Sequence, residues 1–243
     1  GVLAKTKHNE VAPAQHELAP IFTTTNVATD HNQLTMDVMK KVACKHGLMC
    51  LLHEKPFAGV NGSGKHNNWS ISTDTGKNIL SPGKDPINNK VFLTFLVAII
   101  KAVHENQDLL RISVADAGND HRLGGNEAPP AILSMFIGTD LEKVLKCIEE
   151  NLPYNEETLN SLAIDVGVLP SFKKDTTDRN RTSPFAFTGN KFEFRMLGST
   201  ANIACPNTIL NTIVAESLDY ISDYIEGKDD IDKALNEVSK KIL

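Results

Sequence analysis

Apolar residues recur with two different periods along this chain, and those periods place its elements. Residues 5–22 read as two short extended segments around Pro13. In residues 30–45, Leu34, Val38, Met39 and Val42 gather toward one helical face, lysines collect near the end, and Gly47 follows. That pattern predicts an amphipathic helix with a C-terminal stop. Residues 48–53 form a short buried-strand candidate, and 66–72 a strand after the turn Asn61-Gly62-Ser63-Gly64. Residues 74–89, with Gly76, Pro82, Gly83 and Pro86, read as a surface loop. A strongly apolar helix is predicted over 89–106, with Phe92, Phe95, Leu96, Ile99, Ile100 and Val103 inward. After a Gly/Asn/Pro-rich loop at 116–130 come a strand at 131–137 and short helices at 140–150 and 156–164. Residues 165–189 read mostly as loop and 190–197 as a strand. Pro206 opens a long helix that Gly227 ends, and a last helix follows from about residue 229. Strands and helices without βα alternation predict an α+β fold.

Composition narrows the partners. The chain has 243 residues, enough for one substantial core, and a net charge of −5, so no basic field exists to hold nucleic acid. The longest apolar run, 91–100, is far too short for a membrane span. Cys44, Cys50, Cys147 and Cys205 form no C-x-x-C pair and no zinc spacing, which predicts reduced, mostly buried thiols in a cytoplasmic protein. The first residue is not Met, and the last helical pattern is open at Leu243; both ends read as cut, which predicts a partial catalytic domain over 1–243.

Four segments carry candidate chemistry. In the first, a tight reversal at Pro13-Ala14 would set Val11 against His16 and Glu10 against Glu17. Two carboxylates opposed on one sheet face repel, and a divalent cation between them turns repulsion into ligation; the alternative is two solvated surface glutamates. The second is the glycine turn running into His66, Asn68 and Ser70, which share one face of an extended chain. That face suits a metal and phosphate oxygens, although it lacks P-loop spacing. In the third, Lys191-Phe192-Glu193-Phe194-Arg195-Met196 alternates strictly. Phe192, Phe194 and Met196 bury, so Lys191, Glu193 and Arg195 take the other face, either as an exposed ion triplet or as a cavity wall holding metal and phosphate. The fourth is loop material at 119–130 and 178–184, where glycine mixes with Arg122, Glu127, Arg179 and Arg181 in the manner of lids and anion clamps. His31 and His46 lie in or at the end of the first helix, where His46 suits the helix dipole, and His53 and His104 have no visible partner set.

In this order and with these residue types, the four segments resemble glutamine synthetase. The wording His8-Asn9-Glu10-Val11-Ala12-Pro13, the run from Glu54 through Asn61-Gly62-Ser63-Gly64-Lys65-His66 to Ser70, and Thr188-Gly189-Asn190-Lys191-Phe192-Glu193-Phe194-Arg195 are similar to the type III branch. The resemblance implies a curved antiparallel sheet flanked by helices, with two or three Mg²⁺ or Mn²⁺ ions and ATP bound in one cleft. It implies that Glu10 and Glu17 ligate one cation and His66 and Glu193 another. Asn61, Gly62 and Arg122 would bind glutamate, Glu127 would sit on a protective flap, and Arg181 and Arg195 would face the transferring phosphate. Phe22, Asn68, Ser70 and Lys191 would line the nucleotide site. Asn68 and Lys191 stand where commoner branches carry histidine and arginine. The Glu-x-Glu pair and small N-terminal β-domain that precede this region in the family are not in the sequence.

The implied reaction joins ammonia to glutamate through γ-glutamyl phosphate, in nitrogen assimilation. The implied partners are glutamate, ammonium and ATP, with no nucleic acid and no membrane, and the implied assembly is a dodecamer of two hexameric rings. A γ-glutamyl-amine ligase of the same family and a non-catalytic family member are the alternatives.

Overall fold

The computed structural model describes residues 1–153 and 183–243; Arg181 and the helix expected at 156–164 lie outside the described residues. In chain order the elements are β1 (Ala4–Asn9), β2 (His16–Pro20), α1 (Thr25–Lys45), β3 (Gly64–Trp69), α2 (Lys90–Glu105), α3 (Gln107–Ile112), α4 (Ala117–Arg122), β4 (Met135–Phe136), α5 (Thr139–Glu150), β5 (Phe185–Phe187), β6 (Phe192–Gly198), α6 (Ala204–Ile225) and α7 (Ile231–Ile242). The α+β expectation is met. The sheet, however, is open and mixed rather than wholly antiparallel. Its order is β3-β6-β5-β4, with β4 parallel to β5 and the other pairs antiparallel, while β1 and β2 form a separate two-stranded sheet.

The Phe-rich strands fix the main sheet. Phe192, Phe194 and Met196 are all fully buried, as their alternation requires. Phe185 stacks on Phe192 at 4.8 Å between ring centroids and meets Phe194 edge-on at 5.9 Å. Phe187 links this cluster to Phe92 of α2 at 6.0 Å. α2 buries eight residues between the sheet and α6. Its start is set by Asn89, whose side chain accepts from the Phe92 amide at 3.2 Å. Two polar residues on the core face of β3 are met from α6: Asn67 donates to Asn207 and Trp69 to Asn211, each at 2.8 Å.

Several expectations need correction. Residues 48–53 form no strand, and Leu48, Met49 and Leu51 are exposed. β4 is two residues long, and β5 lies where loop was expected. α1 begins at Thr25, and although its stop is as expected, with Leu48 N–H donating to Ala43 across left-handed Gly47, none of its residues is buried. Only Cys147 among the cysteines is buried, and burial pushes its thiol pKa up.

Candidate functional site

The β1–β2 hairpin is built around a turn over 12–15. Gln15 N–H donates to the Ala12 carbonyl at 3.1 Å, Pro13 takes the second position, and Ala14 adopts a left-handed conformation with φ 53°. The pairing differs from expectation by two residues: Asn9 lies opposite His16 and His8 opposite Glu17, while Glu10 N–H donates to the Gln15 carbonyl at 3.0 Å. A slip of two preserves the face, so Glu10 and Glu17 still share it, but diagonally. His8 takes the place between them. Its Nε2 lies 2.6 Å from Glu10 Oε1 and 2.9 Å from Glu17 Oε2. Ligand atoms of His8, Glu10 and Glu17 all fall within 4.8 Å of one another, the one such grouping of three or more among the described residues. The sequence reading missed His8. Its signal was there, since residues 8 and 10 share a face of any strand, but the expected register put no partner beside it.

A second grouping forms on β3 and β6. Between the pairs Lys65–Leu197 and Asn67–Phe194, β6 spends two residues, Arg195 and Met196, against His66 alone. This bulge leaves Met196 in the core and keeps Arg195 on the Glu193 side. Arg195 is 3 % exposed; its Nε donates to Glu193 Oε2 at 3.1 Å and its Nη1 to the Ser183 carbonyl at 3.4 Å. His66 Nδ1 lies 4.0 Å from the same Glu193 oxygen. Asn68 is opposite Glu193 and exposed. Just beyond β3, Ser70 Oγ donates to Asn78 Oδ1 at 2.9 Å and to the Asn190 carbonyl at 3.1 Å. Lys191 precedes β6, and its carbonyl receives the Thr188 amide at 2.8 Å.

The third grouping joins two loops. Asn61 Nδ2 donates to Glu127 Oε2 at 2.8 Å, so the 61–64 turn and the loop carrying Glu127 meet although 66 positions separate the two residues. Glu127 is held left-handed, with φ 58°. Arg122 lies underneath, 6 % exposed, donating to Asn119 Oδ1 at 3.1 Å and to the Leu197 carbonyl at 3.2 Å. Burial lowers its pKa, and the negative charge of Glu54 opposes that. A Cβ on Gly64 would stand 2.5 Å from Arg122 Nη1, so a side chain there would displace the guanidinium from the turn. Phe22 stands apart, 94 % exposed between β2 and α1.

The fold and these groupings define an α+β domain with two imidazole–carboxylate clusters, one on a hairpin and one on a sheet. The comparisons make the assignment specific. The family model "Glutamine synthetase, catalytic domain" matches residues 1–116. The chain is 57% identical to a type-3 glutamine synthetase of Dictyostelium discoideum, over 93% of this chain and 31% of that protein. It is 55% identical to a glutamine synthetase of Bacteroides fragilis, over 98% of this chain and 32% of that one. The solved structure titled "GmaS/ADP complex-Conformation 1" superposes with a TM-score of 0.60 at 18% identity, covering 90% of this chain and 43% of the other, a likeness of fold. The chain belongs to the glutamine synthetase family, and it spans about a third of the length of these curated relatives.

Proposed function

We propose that this chain supplies the cation-binding and phosphoryl-handling face of a glutamate–ammonia ligase. The observation that carries the reading is the convergence of His8, Glu10 and Glu17 on one hairpin face. Two carboxylates and an imidazole fit a divalent cation by chemistry and by size, because ligands at about 2.1 Å on opposite sides of one ion stand roughly 4.2 Å apart. His66 and Glu193 offer the same donor types for a second cation. When bound, such cations neutralise the phosphates of ATP and so lower the cost of attack on the γ-phosphorus.

The chain's own residues do the rest. Glutamate's side-chain carboxylate attacks the γ-phosphorus, the bond to ADP breaks, and γ-glutamyl phosphate forms. Arg195, fixed by Glu193 and the Ser183 carbonyl, directs a permanent positive charge to that phosphate, and Arg181 is its proposed companion. Ammonium gives a proton to Glu127, ammonia attacks the acyl carbon, the C–O bond to phosphate breaks, and the nitrogen's extra proton leaves on the phosphate. Asn61 holds Glu127 over the 61–64 turn, where Gly62 is a proposed backbone contact of glutamate, and this closure keeps water from the acyl phosphate. Arg122 supports the glutamate pocket from beneath, its described donors ending on carbonyls and Asn119. Asn68, Ser70, Lys191 and Phe22 are the proposed nucleotide contacts, and assembly as a double hexameric ring belongs to the same reading.

Calorimetric titration of the 243-residue chain with Mn²⁺ and then ATP tests it. Mn²⁺ binding should precede ATP binding, and Glu193→Gln should weaken ATP binding by at least about tenfold. Absence of Mn²⁺ binding at millimolar concentration overturns the reading. With turnover measurable, faster product formation from a small alkylamine than from ammonium would move it to an amine ligase.

A further inference from the structure

Glu54 belongs to none of the groupings above, yet it is 2 % exposed and fixed from several sides. Its Oε1 accepts from the Thr200 amide at 2.8 Å and from the Thr200 hydroxyl. Its backbone carbonyl accepts from the Ser63 amide at 2.8 Å. One residue thereby ties the segment after β6 to the 61–64 turn.

Glycines clear the space around it. A Cβ on Gly198 would stand 2.8 Å from Glu54 Cγ, one on Gly62 2.6 Å from the Glu54 carbonyl oxygen, and one on Gly118 3.1 Å from Oε2. Two buried or half-buried cations share its neighbourhood and grip the same stretch of chain. Arg122 donates to the Leu197 carbonyl, and Lys65 Nζ donates to the Ser199 and Ala201 carbonyls at 2.6 Å each. Burial lowers the pKa of both, and the charge of Glu54 pulls both back up. An ion buried in this way carries a large desolvation penalty, so an apolar filling would stabilise the fold at least as well. What the carboxylate adds is a defined geometry, because each of its hydrogen bonds has one partner and one direction and its charge strengthens them.

We propose that Glu54 is a positioning residue: it locks the 61–64 turn against the end of β6, so that Asn61 meets Glu127. That Asn61 and Glu127 serve a glutamate site rests on the proposed function; the locking of the turn does not.

The test is Glu54→Gln, which keeps the size and the acceptor for Thr200 but removes the charge. Peptide-resolved amide exchange on the full 243-residue chain should be about tenfold faster across residues 61–64 and 124–128, with α2 and residues 192–194 unchanged. Thr200→Val, which deletes one donor only, should give a smaller acceleration in the same two segments. L-glutamate affinity in the presence of Mn²⁺ should fall about tenfold while Mn²⁺ affinity stays. Exchange unchanged at 61–64, or accelerated equally in α2, overturns the positioning role, because a merely structural residue would loosen everything or nothing. Should Glu54→Gln fail to fold, the Thr200→Val pattern decides alone. Should the unsubstituted chain not bind glutamate, the substrate reading fails and the exchange contrast still judges Glu54.

Discussion

The two imidazole–carboxylate groupings are similar in chemistry and opposite in construction. His8, Glu10 and Glu17 sit on a two-stranded ribbon that forms its own sheet, and Leu18 on that ribbon is exposed. His66, Glu193 and Arg195 sit on strands whose reverse face is the phenylalanine core. At the hairpin a turn sets the geometry, so it is local. At the sheet, burial sets it, so moving Glu193 means moving Phe192 and Phe194. The difference teaches that one set of side-chain types can be held together by two means, and that the means can be told apart by what else breaks when a grouping is disturbed.

The largest effect should come from the core. Phe194→Ala removes a fully buried ring and should cost about 3–5 kcal/mol, read as a large drop in the urea midpoint. Leu18→Ala on the hairpin should cost less than about 1 kcal/mol in the same measurement. Equal losses would show the ribbon to be part of the core's cooperative unit and would end the distinction.

How much of this was legible in the sequence follows the same division. The Phe192–Phe194–Met196 alternation fixed which face of β6 carries Glu193 and Arg195, because a pleat allows no other arrangement. The bulge at Arg195–Met196 was not legible, since it depends on the partner strand. The hairpin register was misjudged by two residues, because the left-handed Ala14 lets Val11 drop out of the pairing. Glu54 has no local signal, because its partner lies 146 residues away at Thr200. The helices make the point again. α1 and α2 both read as having an apolar face; α2 buries eight residues, while Leu34, Val38, Met39 and Val42 of α1 stay exposed. Periodicity tells that a helix has an apolar side, and says nothing of where its cover comes from.

A smaller effect should sharpen the contrast from the sheet side. Burial lowers the pKa of Lys65 to about 8 from the ordinary 10.5, against the upward pull of Glu54. Below pH 8 the amine is charged in both the folded and unfolded states, and the penalty of burying that charge is fully present. Between about 8 and 10.5 the unfolded chain holds more protons than the folded one, so stability attributable to this residue rises with pH. The difference in urea midpoint between the unsubstituted chain and Lys65→Met should therefore shift in favour of lysine across that window. A flat difference would mean that the amine reaches solvent and that its bonds to the Ser199 and Ala201 carbonyls do not hold it inside.

The smallest effect belongs to the turn and tests the hairpin's independence most directly. Ala14 holds φ 53° with a Cβ, a conformation that costs an L-residue about 1 kcal/mol and glycine almost nothing. Ala14→Gly recovers that cost, less a few tenths for the added freedom of the unfolded chain. If the ribbon opens separately from the core, the gain appears only there. Exchange of the Glu10 and Gln15 amides, whose bonds cross the turn, should slow about threefold while the urea midpoint stays in place. A midpoint that rises together with the protection would mean that turn and core unfold as one, and a local origin for the His8–Glu10–Glu17 geometry would then be wrong.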